Sequence, residues 1–389
     1  MKKIKVAFLV EHMSWTGGVN YFKNLFAAVH GSQLVDIYLV CGKRFSSTEL
    51  EEHAQVIRTE FLDRKTPSWY VRKITNRLRV GQDFLLKKLL AKNEIDLVFH
   101  FGDHWYCDGI RSIAWIPDFQ HIYYPDFFQR DEWLHRQDQF SNVVERCTAL
   151  LFSSQNALED CVKYYPKAAE KEKFVLNFVS GKPHASASAP SHHELRGKYG
   201  LAEKWIHLPN QLWIHKNHLT IVDALALVKN AGHNIQVVCT GKLVDYRFPD
   251  HVEKVQHRIR EQGLFDHIKL LGVIPYEDVI GLMGYSIAVL NPSLFEGWST
   301  SVEEAKALGK LLVLSDIPVH REQAPTRAIY FDPNNAHAAA EALLQAYEQY
   351  DPESEPQHFA AARDSYDRRW AHFGSEFERI VRSVSTLIP

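Results

Sequence analysis

Residues Ile287–Ala305 read IAVLNPSLFEGWSTSVEEA. The first four form a short apolar run typical of a buried strand, the middle is a polar loop around Pro292 and Gly297, and the remainder has helical spacing. The segment therefore predicts a strand, a loop and a helix, which is the repeating unit of a parallel sheet. Its polar residues follow the carboxyl end of the strand, where ligands bind in such sheets.

The same rhythm repeats along the chain, with helical patterns at 217–231 and 301–308 between short apolar runs. Strands joined by crossover helices are typical of a parallel sheet. The other predicted strands are Ile4–Val10, Val35–Cys41, Ile95–Phe101, Ser112–Ile116, Ala149–Phe152, Phe174–Phe178, Trp205–Leu208, Ile235–Thr240, Ile268–Leu271 and Leu311–Leu314.

A break in this rhythm divides the chain. Residues 181–193 are small and polar and contain two prolines, so they predict a linker. At about 150 residues per domain, the length fits roughly two or three domains. We predict an α/β protein with two doubly wound, Rossmann-like domains facing across a cleft. The boundaries are 1–180, a linker at 181–196, 197–365, and a C-terminal helix at 366–389 that packs back across both domains.

Composition excludes several classes of protein. Lys and Arg number 45 and Asp and Glu 47, which gives a net charge of −2, with 46% hydrophobic and 24% charged residues. These values are those of an ordinary globular chain rather than a disordered or membrane-spanning one. A chain without excess positive charge has no bulk attraction to nucleic acid, so we expect no nucleic-acid partner.

The cysteines and the first residues of the chain indicate the cellular compartment of the protein. An odd number of cysteines without a C-x-x-C pair indicates a reducing compartment, so we expect a cytoplasmic protein. The apolar run Ile4–Val10 ends at Glu11, which makes it a strand rather than a signal peptide. No apolar run approaches about 18 residues, so any membrane contact is expected to be peripheral. The five cysteines are Cys41, Cys107, Cys147, Cys161 and Cys239.

A second strand end carries a lysine. After the strand Trp205–Leu208 the chain continues to Lys216 and Asn217, and Asn217 is a plausible N-cap of the next helix. Lys216 therefore lies beside a helix amino end, where an ammonium and the helix dipole together stabilise an anion. The alternative is a solvated surface lysine. His215 and His218 raise the question of a metal site, but no third ligand has suitable spacing.

Two glutamates dominate the segment quoted first. Glu296 precedes the helix and Glu304 follows eight residues later, so both carboxylates can face the ligand side, with the amides of Ser299 to Ser301 beside them. One carboxylate would accept sugar hydroxyls and the other a ribose. The alternative for Glu304 is structural, because Ser301-x-x-Glu304 has the spacing of a capping box.

A glycine pair opens the first predicted helix. Gly17 and Gly18 follow the strand Ile4–Val10 and precede a helix-like run from Tyr21. Backbone N–H groups at such a helix start can cradle a phosphate. The pattern is not G-x-G-x-x-G, so the dinucleotide fingerprint is absent. The alternative is a plain turn that needs positive φ.

The order of these motifs resembles a known family. The segment from Phe295 to Lys310, followed by Ser315-Asp316-Ile317-Pro318, is similar to the E-x7-E region of retaining GT-B glycosyltransferases of family 4. Gly17-Gly18, the Lys216 loop, Gly241 and the closing Tyr330-Phe331-Asp332-Pro333 occur in the family's order over nearly the whole chain.

The resemblance implies a nucleotide-sugar donor held mainly by the second domain and a glycan or lipid-linked acceptor held mainly by the first. Lys216 corresponds to the family lysine on the diphosphate, Glu296 to the glutamate near the donor sugar and Glu304 to the one on the ribose. The catalytic residues it implies are Lys216, Glu296 and Asp118. The donor-binding residues are Gly17, Gly18, Asn210, His215, Lys216, Glu296, Gly297, Trp298, Ser299, Thr300 and Glu304.

Two departures from the family pattern matter. Many members have an arginine five or six residues before the lysine, whereas this chain has Asn210 and Gln211, and His215 is the candidate to compensate. Many members also have a histidine at a strand end in the first domain. Here Pro117 occupies that position, so Asp118 or His121 is expected to contact the acceptor. The alternative for Asp118 is capping of local backbone.

The reaction expected from the resemblance needs no metal and no cofactor. No D-x-D motif, the metal-binding signature of the other common glycosyltransferase fold, occurs in the sequence. The expected enzyme is a metal-independent, retaining hexosyltransferase of surface polysaccharide (O-antigen or capsule) biosynthesis. The alternatives are a sugar-nucleotide epimerase, or a non-catalytic GT-B binding protein, which the missing arginine motivates.

Residues 63–92 are strongly basic. Nine Lys and Arg stand against Asp63 and Asp83, a local charge of +7, and they alternate with aromatic and aliphatic residues. Such a stretch can rest on anionic lipid, which would place the protein at the inner face of the cytoplasmic membrane. The alternative is a helix that packs on the sheet with a solvated basic face.

Overall fold

The computed structural model describes residues 2–10, 16–78, 83–100, 109–181 and 190–388. In this part of the chain the strands form two sheets, and every strand pair is parallel. The strands are β1 Ile4–Val10, β2 Val35–Cys41, β3 Gln55–Arg58, β4 Leu97–His100, β5 Arg111–Ile116, β6 Ala149–Phe152, β7 Glu172–Val175, β8 Ile206–Leu208, β9 Val237–Cys239, β10 Ile268–Leu270, β11 Ala288–Asn291, β12 Leu312–Ser315 and β13 Ala328–Phe331.

Helices connect most of these strands. They are α1 Thr16–Ala28, α2 Thr48–Glu51, α3 Pro67–Leu78, α4 Phe84–Lys92, α5 Gln120–Tyr123, α6 Arg130–Arg146, α7 Gln155–Tyr164, α8 His192–Tyr199, α9 His218–Asn230, α10 His251–Glu261, α11 Tyr276–Tyr285, α12 Thr300–Ala307, α13 Pro318–Glu322, α14 Ala336–Gln349 and α15 Glu355–Ser385. Among the described residues, no helix is both long and apolar enough to cross a bilayer.

Both sheets are doubly wound. The first has the order β3-β2-β1-β4-β5-β6-β7, and the second has the order β10-β9-β8-β11-β12-β13. In each, the strand order reverses beside the first strand of the sheet, which creates a switch point between β1 and β4 and another between β8 and β11. The prediction of two doubly wound α/β domains is therefore confirmed.

The chain forms two compact units. The first consists of Met1–Pro125, Gln129–Val179 and Arg369–Pro389, and the second of Asp126–Phe128 and Ser180–Arg368. Helix α15 is longer than the predicted C-terminal helix. In the first unit its Phe377 ring lies 6.2 Å from that of Phe8.

Three sequence predictions need correction. The last predicted strand of the first sheet is Glu172–Val175 rather than Phe174–Phe178, because pairing with β6 decides its register. Strands β3 and β13 were not predicted. Helix α8 begins inside the predicted linker, since Ser191 and Glu194 form a capping box there. Residues 182–189 of that linker lie outside the described residues.

Helix α9 holds the Lys216 loop in place. Its buried residues Ile221, Val222, Leu225 and Val228 recur at helical spacing and belong to the main apolar core of the second unit, which also contains Leu343 of α14. A helix with such an apolar face is held rigidly by packing rather than by propensity. The turn that precedes α9 therefore has a rigid support.

Candidate functional site

The predicted site residues of the second unit cluster at its topological switch point. Strands β8 and β11 are neighbours, and β9 pairs with the other side of β8. The loop after β8 carries Asn210, His215 and Lys216, and the loop after β11 carries Glu296 and leads into α12. These two loops leave adjacent strand ends in opposite directions. The crevice between such loops is where doubly wound sheets bind ligands.

Lys216 and Glu296 form an ion pair, although 80 residues separate them. Lys216 ends a single 3-10 turn, Ile214–Lys216, and its Nζ donates to Glu296 Oε1 at 2.6 Å. The side chains are only 15% and 9% exposed. Burial raises the pKa of Glu296, but the Lys216 ammonium, the charge of His320 and the hydrogen bonds from Lys216 and Ser293 together lower it by more, so the net pKa lies below its ordinary value. Glu296 is therefore ionised at neutral pH.

Two neighbours that the sequence analysis missed also hold Glu296. Ser293 Oγ donates to Glu296 Oε1 at 2.7 Å, and Asn291 Nδ2 reaches the same oxygen at 3.3 Å and Ser299 Oγ at 2.9 Å. All hydrogen bonds that described residues make to this carboxylate end on Oε1, which leaves Oε2 as an acceptor for a ligand. Asn210 Nδ2 donates to Asn291 Oδ1 at 3.1 Å, so Asn210 extends this network.

Asn217 fastens the Lys216 turn to two other strand ends. It occupies the N-cap position of α9 as predicted, with a φ of 58°, but its side chain does not cap the helix. Instead Asn217 Nδ2 donates to the carbonyl oxygens of Pro292 at 3.1 Å and Pro333 at 2.8 Å. The backbone on which Lys216 lies is thus tied to the loops after β11 and β13.

A glycine allows the loops after β8 and β9 to approach. Gly241 has a φ of +133°, and a Cβ there would lie 2.8 Å from the carbonyl of Asn210 and from the nitrogen of Gln211. Any other residue at 241 would push the Asn210 loop away from the strand end.

His215 is neutral at physiological pH. Arg247 Nη2 lies 3.3 Å from His215 Nδ1. Burial, together with the charges of Lys216 and Arg247, lowers the pKa of His215 well below its ordinary value. Burial also lowers the pKa of His218 to about 3. No group of three or more His, Cys, Asp or Glu able to hold a metal occurs in the described ranges.

Glu304 is buried, and no cationic side chain pairs with it in the described part of the chain. It is 8% exposed and accepts a hydrogen bond at 2.9 Å from the hydroxyl of Tyr276, which begins α11. Burial raises the pKa of Glu304 to about 7, although the Tyr276 hydroxyl opposes this rise. The capping-box alternative is wrong, because Ser299 rather than Ser301 is the N-cap residue of α12.

The remaining donor-side residues lie in the turn that enters α12. Gly297 and Trp298 are partly buried in the loop, Ser299 is the buried N-cap residue and Thr300 is the first helical residue. The first backbone N–H groups of a helix have no intrahelical partners and favour anions. Because Ser299 Oγ accepts from Asn291, this helix start lies next to the Glu296 network.

In the first unit, the predicted residues Gly17 and Gly18 lie in the first turn of α1. Helical backbone has negative φ, so the alternative of a turn that needs positive φ is wrong. Residues 11–15, which precede this helix, lie outside the described residues.

Asp118 and His121 lie after β5 in different environments. Asp118 Oδ1 accepts the Gln120 N–H at 3.0 Å and lies 3.7 Å from Arg136 Nη1, which agrees with the backbone-capping alternative. The His121 side chain is completely buried, 5.2 Å from the Phe140 ring. Burial and the charge of Arg136 lower its pKa to about 4. A ring without exposed surface offers no contact to an acceptor, whereas the Asp118 side chain is partly exposed.

Comparison with known proteins adds to this geometry. Residues 195–363 match the family described as glycosyl transferases group 1. The chain is 24% identical over 268 residues to the O-antigen chain mannosyltransferase RfbU of Salmonella typhimurium, covering 69% of this chain and 67% of that protein.

Several solved structures share the fold. A glycosyltransferase from Rickettsia africae superposes with a TM-score of 0.70 at 16% identity, over 99% of this chain and 100% of the other. HepE of Anabaena in complex with UDP and glucose gives 0.72 at 16% identity, over 98% and 100%. WaaG, a glycosyltransferase involved in lipopolysaccharide biosynthesis, gives 0.62 at 14% identity, over 98% of each chain. The fold is therefore that of GT-B glycosyltransferases, and residues 195–363 are similar to the glycosyl transferases group 1 family.

Proposed function

We propose that this chain is a retaining, metal-independent hexosyltransferase of family 4. It would move a hexose from a nucleotide-sugar donor to a hydroxyl of a glycan or lipid-linked acceptor in surface polysaccharide biosynthesis. The observation that carries the proposal is the buried Lys216–Glu296 pair at the switch point of the group 1 domain. The likeness to RfbU, named as an O-antigen chain mannosyltransferase, supports the biological setting.

Different residues of the second unit bind different parts of the donor. The Lys216 ammonium and the first amides of α12 meet the diphosphate, the free oxygen of Glu296 accepts donor-sugar hydroxyls, and Glu304 accepts ribose hydroxyls. Gly297, Trp298, Ser299 and Thr300 form the turn around the phosphates. In the first unit, the first amides of α1 at Gly17 and Gly18 are the proposed phosphate-binding groups and Asp118 is the proposed acceptor-binding residue.

The proposed step breaks the bond between the anomeric carbon and the diphosphate oxygen, and the diphosphate keeps the electron pair. The acceptor hydroxyl attacks from the same face and passes its proton to the departing phosphate oxygen, so the anomeric configuration is retained. Lys216 stabilises the charge that develops on the diphosphate, an interaction that strengthens in the transition state. Inversion of the product anomer, measured by NMR, would contradict this mechanism.

The test is nucleoside diphosphate release from UDP-, GDP-, dTDP- and ADP-sugars without added metal. We expect release from one donor class, lost in Lys216→Ala and in Glu304→Ala and kept in Lys254→Ala, an exposed lysine on α10. A donor converted to another sugar nucleotide without acceptor would indicate an epimerase.

Asn210, which provides no second cation, favours a non-catalytic binding protein as the second candidate. If no nucleoside diphosphate is released from any of these donors but a nucleotide raises the thermal stability of the protein, that candidate is supported. If no nucleoside diphosphate is released and none of these nucleotides raises the thermal stability, both proposals are contradicted.

We also propose that α3 and α4 contact anionic membrane from the cytoplasmic side. Tyr70, Val71 and Ile74 of α3 are exposed, as is Phe84 of α4. Basic residues nearby would meet anionic headgroups. Arg72 is not among them, because it is buried in an ion pair with Asp83, the N-cap residue of α4. Residues 79–82 of the basic stretch lie outside the described residues.

Vesicle sedimentation tests the membrane proposal. We expect binding to phosphatidylglycerol-containing vesicles at low salt, weaker binding at high salt, and none to phosphatidylcholine alone. Ile74→Asp should weaken binding, whereas Phe265→Asp, at an equally exposed apolar residue of the second unit, should not. Equal binding of the two variants would contradict the proposed surface.

A further inference from the structure

We propose that Arg247 holds His215 as the neutral tautomer whose Nε2–H donates a hydrogen bond to the diphosphate of the bound donor. In this role His215 is a binding residue and Arg247 is a positioning residue that acts through it. The inference rests on the proposed function, which it deepens by naming a second diphosphate ligand beside Lys216.

The backbone of the His215 turn is held from two sides. The Ile214 N–H donates to Asp245 Oδ2 at 2.9 Å, and the Leu294 N–H donates to the His215 carbonyl at 2.8 Å. Asp245 comes from the loop after β9 and Leu294 from the loop after β11. The position of the imidazole is therefore decided by the same loops that form the crevice.

The contact with Arg247 decides the tautomer. Arg247 Nη2 lies 3.3 Å from His215 Nδ1, and a guanidinium can only donate hydrogen bonds. Nδ1 must therefore accept, and a neutral imidazole then carries its single proton on Nε2. Nε2 has no hydrogen-bond partner among the described residues, so its N–H is available to a ligand.

Arg247 itself is held in place. Its guanidinium carbon lies 5.6 Å from the ring centres of both Trp213 and Tyr246, and its Nε lies 3.8 Å from Asp245 Oδ1. With the Phe128 ring centre at 5.1 Å as well, three aromatic rings and a buried carboxylate leave the guanidinium few other positions. This arrangement is suited to holding the imidazole in one orientation.

The charges around His215 keep it neutral. Lys216, Arg247, His218 and His251 face it, and burial with these neighbours lowers its pKa well below the ordinary value. His215 is therefore a hydrogen-bond donor rather than a proton source for the leaving group. Since Asn210 is occupied by Asn291, His215 supplies the donor next to Lys216 that Asn210 does not.

A pair of isosteric variants tests which nitrogen acts. A glutamine amide reaches approximately the position of Nε2, and an asparagine amide approximately that of Nδ1. We expect His215→Gln to keep the affinity for UDP, GDP, dTDP, ADP and pyrophosphate, measured by calorimetry, within about threefold. His215→Asn should lose on the order of tenfold, because it loses a hydrogen bond to a charged acceptor. Equal losses in the two variants, or no loss in either, would overturn the proposal.

Exposed residues of α10 provide matched controls. His257→Gln and His257→Asn should leave affinity unchanged, as should Arg258→Met. Thermal unfolding of each variant separates loss of folding from loss of binding.

The ¹⁵N spectrum of Arg247→Met separates a positioning role from a structural one. In this variant the packing volume is kept but the donor to Nδ1 is lost, so the neutral imidazole is no longer restricted to the tautomer with its proton on Nε2. We expect the His215 signals to report a mixture of the two tautomers and the diphosphate affinity to fall. His215 signals identical to those of wild type would show that Arg247 is merely structural and would overturn the proposal.

The tautomer can also be measured without turnover. The ¹⁵N spectrum of histidine-labelled protein, with the His215 signals assigned by their loss in His215→Gln, should show an unprotonated Nδ1 and a protonated Nε2. A protonated Nδ1 would overturn the inference even if the enzyme is active. If the protein shows the expected tautomer but releases no nucleotide, the contact between Arg247 and His215 is confirmed. That result would count against the proposed function alone.

Discussion

The turn after β11 buries Glu296 and the first turns of α12 bury Glu304, and these two carboxylates are in opposite electrostatic situations. Glu296 lies against Lys216 and two neutral donors, and its pKa is below the ordinary value. Glu304, eight residues later, has the neutral Tyr276 hydroxyl as its hydrogen-bond partner and a pKa of about 7. Burial raises both pKa values, so the partner decides the charge. One motif therefore carries an ionised carboxylate and, eight residues later, a carboxyl that is half-protonated near pH 7.

The largest effect should follow when the Glu296 region loses its cation. Lys216→Met removes the ammonium from the leaving group and leaves a buried carboxylate unpaired. We expect turnover to fall by about 10²–10³-fold and the free energy of unfolding at pH 7 to fall by about 3 kcal/mol. Turnover assays and urea unfolding measure the two effects.

The double variant Lys216→Met/Glu296→Gln sharpens the contrast. Removing both charges should restore most of the stability but none of the activity. If Lys216→Met alone is as stable as wild type, the pair is solvated rather than buried.

The Glu304 region should behave in the opposite way. A carboxyl whose pKa is about 7 when folded and 4.5 otherwise destabilises the native state as pH rises through that window. The full penalty at pH 8 is about 3 kcal/mol. Glu304→Gln should therefore be more stable than wild type at pH 8 and equal to it near pH 4, measured by urea unfolding.

The matched control is Glu253→Gln at an exposed position of α10. Its stability should follow that of wild type at both pH values. Nucleotide affinity should fall in Glu304→Gln in spite of its greater stability, since the proposed ribose ligand is lost. A Glu304→Gln protein that is less stable at pH 8 would show that Glu304 has a charged partner in solution.

A smaller effect should follow at Tyr276. Its hydroxyl lowers the pKa of Glu304, so Tyr276→Phe should raise that pKa further. If the ionised carboxylate binds the ribose, nucleotide affinity rises with pH through about 7 in wild type, and the midpoint should move upward in the variant. We expect a change below tenfold at pH 7, the size of one hydrogen bond. Affinity measured against pH should be unchanged in Tyr285→Phe, an exposed tyrosine of the same helix.

The smallest effect is expected at Asp118, a carboxylate of the first unit that is partly exposed beside Arg136. Asp118→Asn can still accept the Gln120 N–H, so stability should change by less than about 1 kcal/mol. Nucleotide affinity should stay the same, whereas transfer to acceptor should fall if Asp118 contacts it. A loss of nucleotide affinity would move Asp118 out of the acceptor role.

The strands show where sequence patterns suffice. Ile4–Val10, Val35–Cys41 and Ala149–Phe152 were predicted to the residue, because short, mostly apolar runs bounded by polar or turn residues are typical of buried strands. Strand β3, Gln55–Arg58, escaped prediction because it is short, lies at the sheet edge and has polar ends. The register of β7 likewise depends on its neighbour.

The residues of the candidate site also fall into two groups, those with a local sequence signal and those without one. Lys216, Glu296 and Glu304 are recognisable because each lies next to a strand end or a helix start in its own segment. Tyr276 begins α11, and Asp245 and Arg247 lie in the loop after β9. None of the three carries a local signal, because aromatic and charged residues are ordinary at such positions. The general rule that loops at the carboxyl ends of the strands of one sheet lie close together is the signal that could have suggested these three residues.

The sequence by itself therefore determined the two doubly wound sheets, the strand ends that carry the site and the identity of its main charged residues. The tertiary structure decided the pairing of Lys216 with Glu296, the isolation of Glu304 with Tyr276, the burial of His121 and the contact between Arg247 and His215. The physical reason is that periodicity and spacing are local properties of the chain. The charge state of a side chain depends instead on desolvation and on partners that folding brings from distant segments.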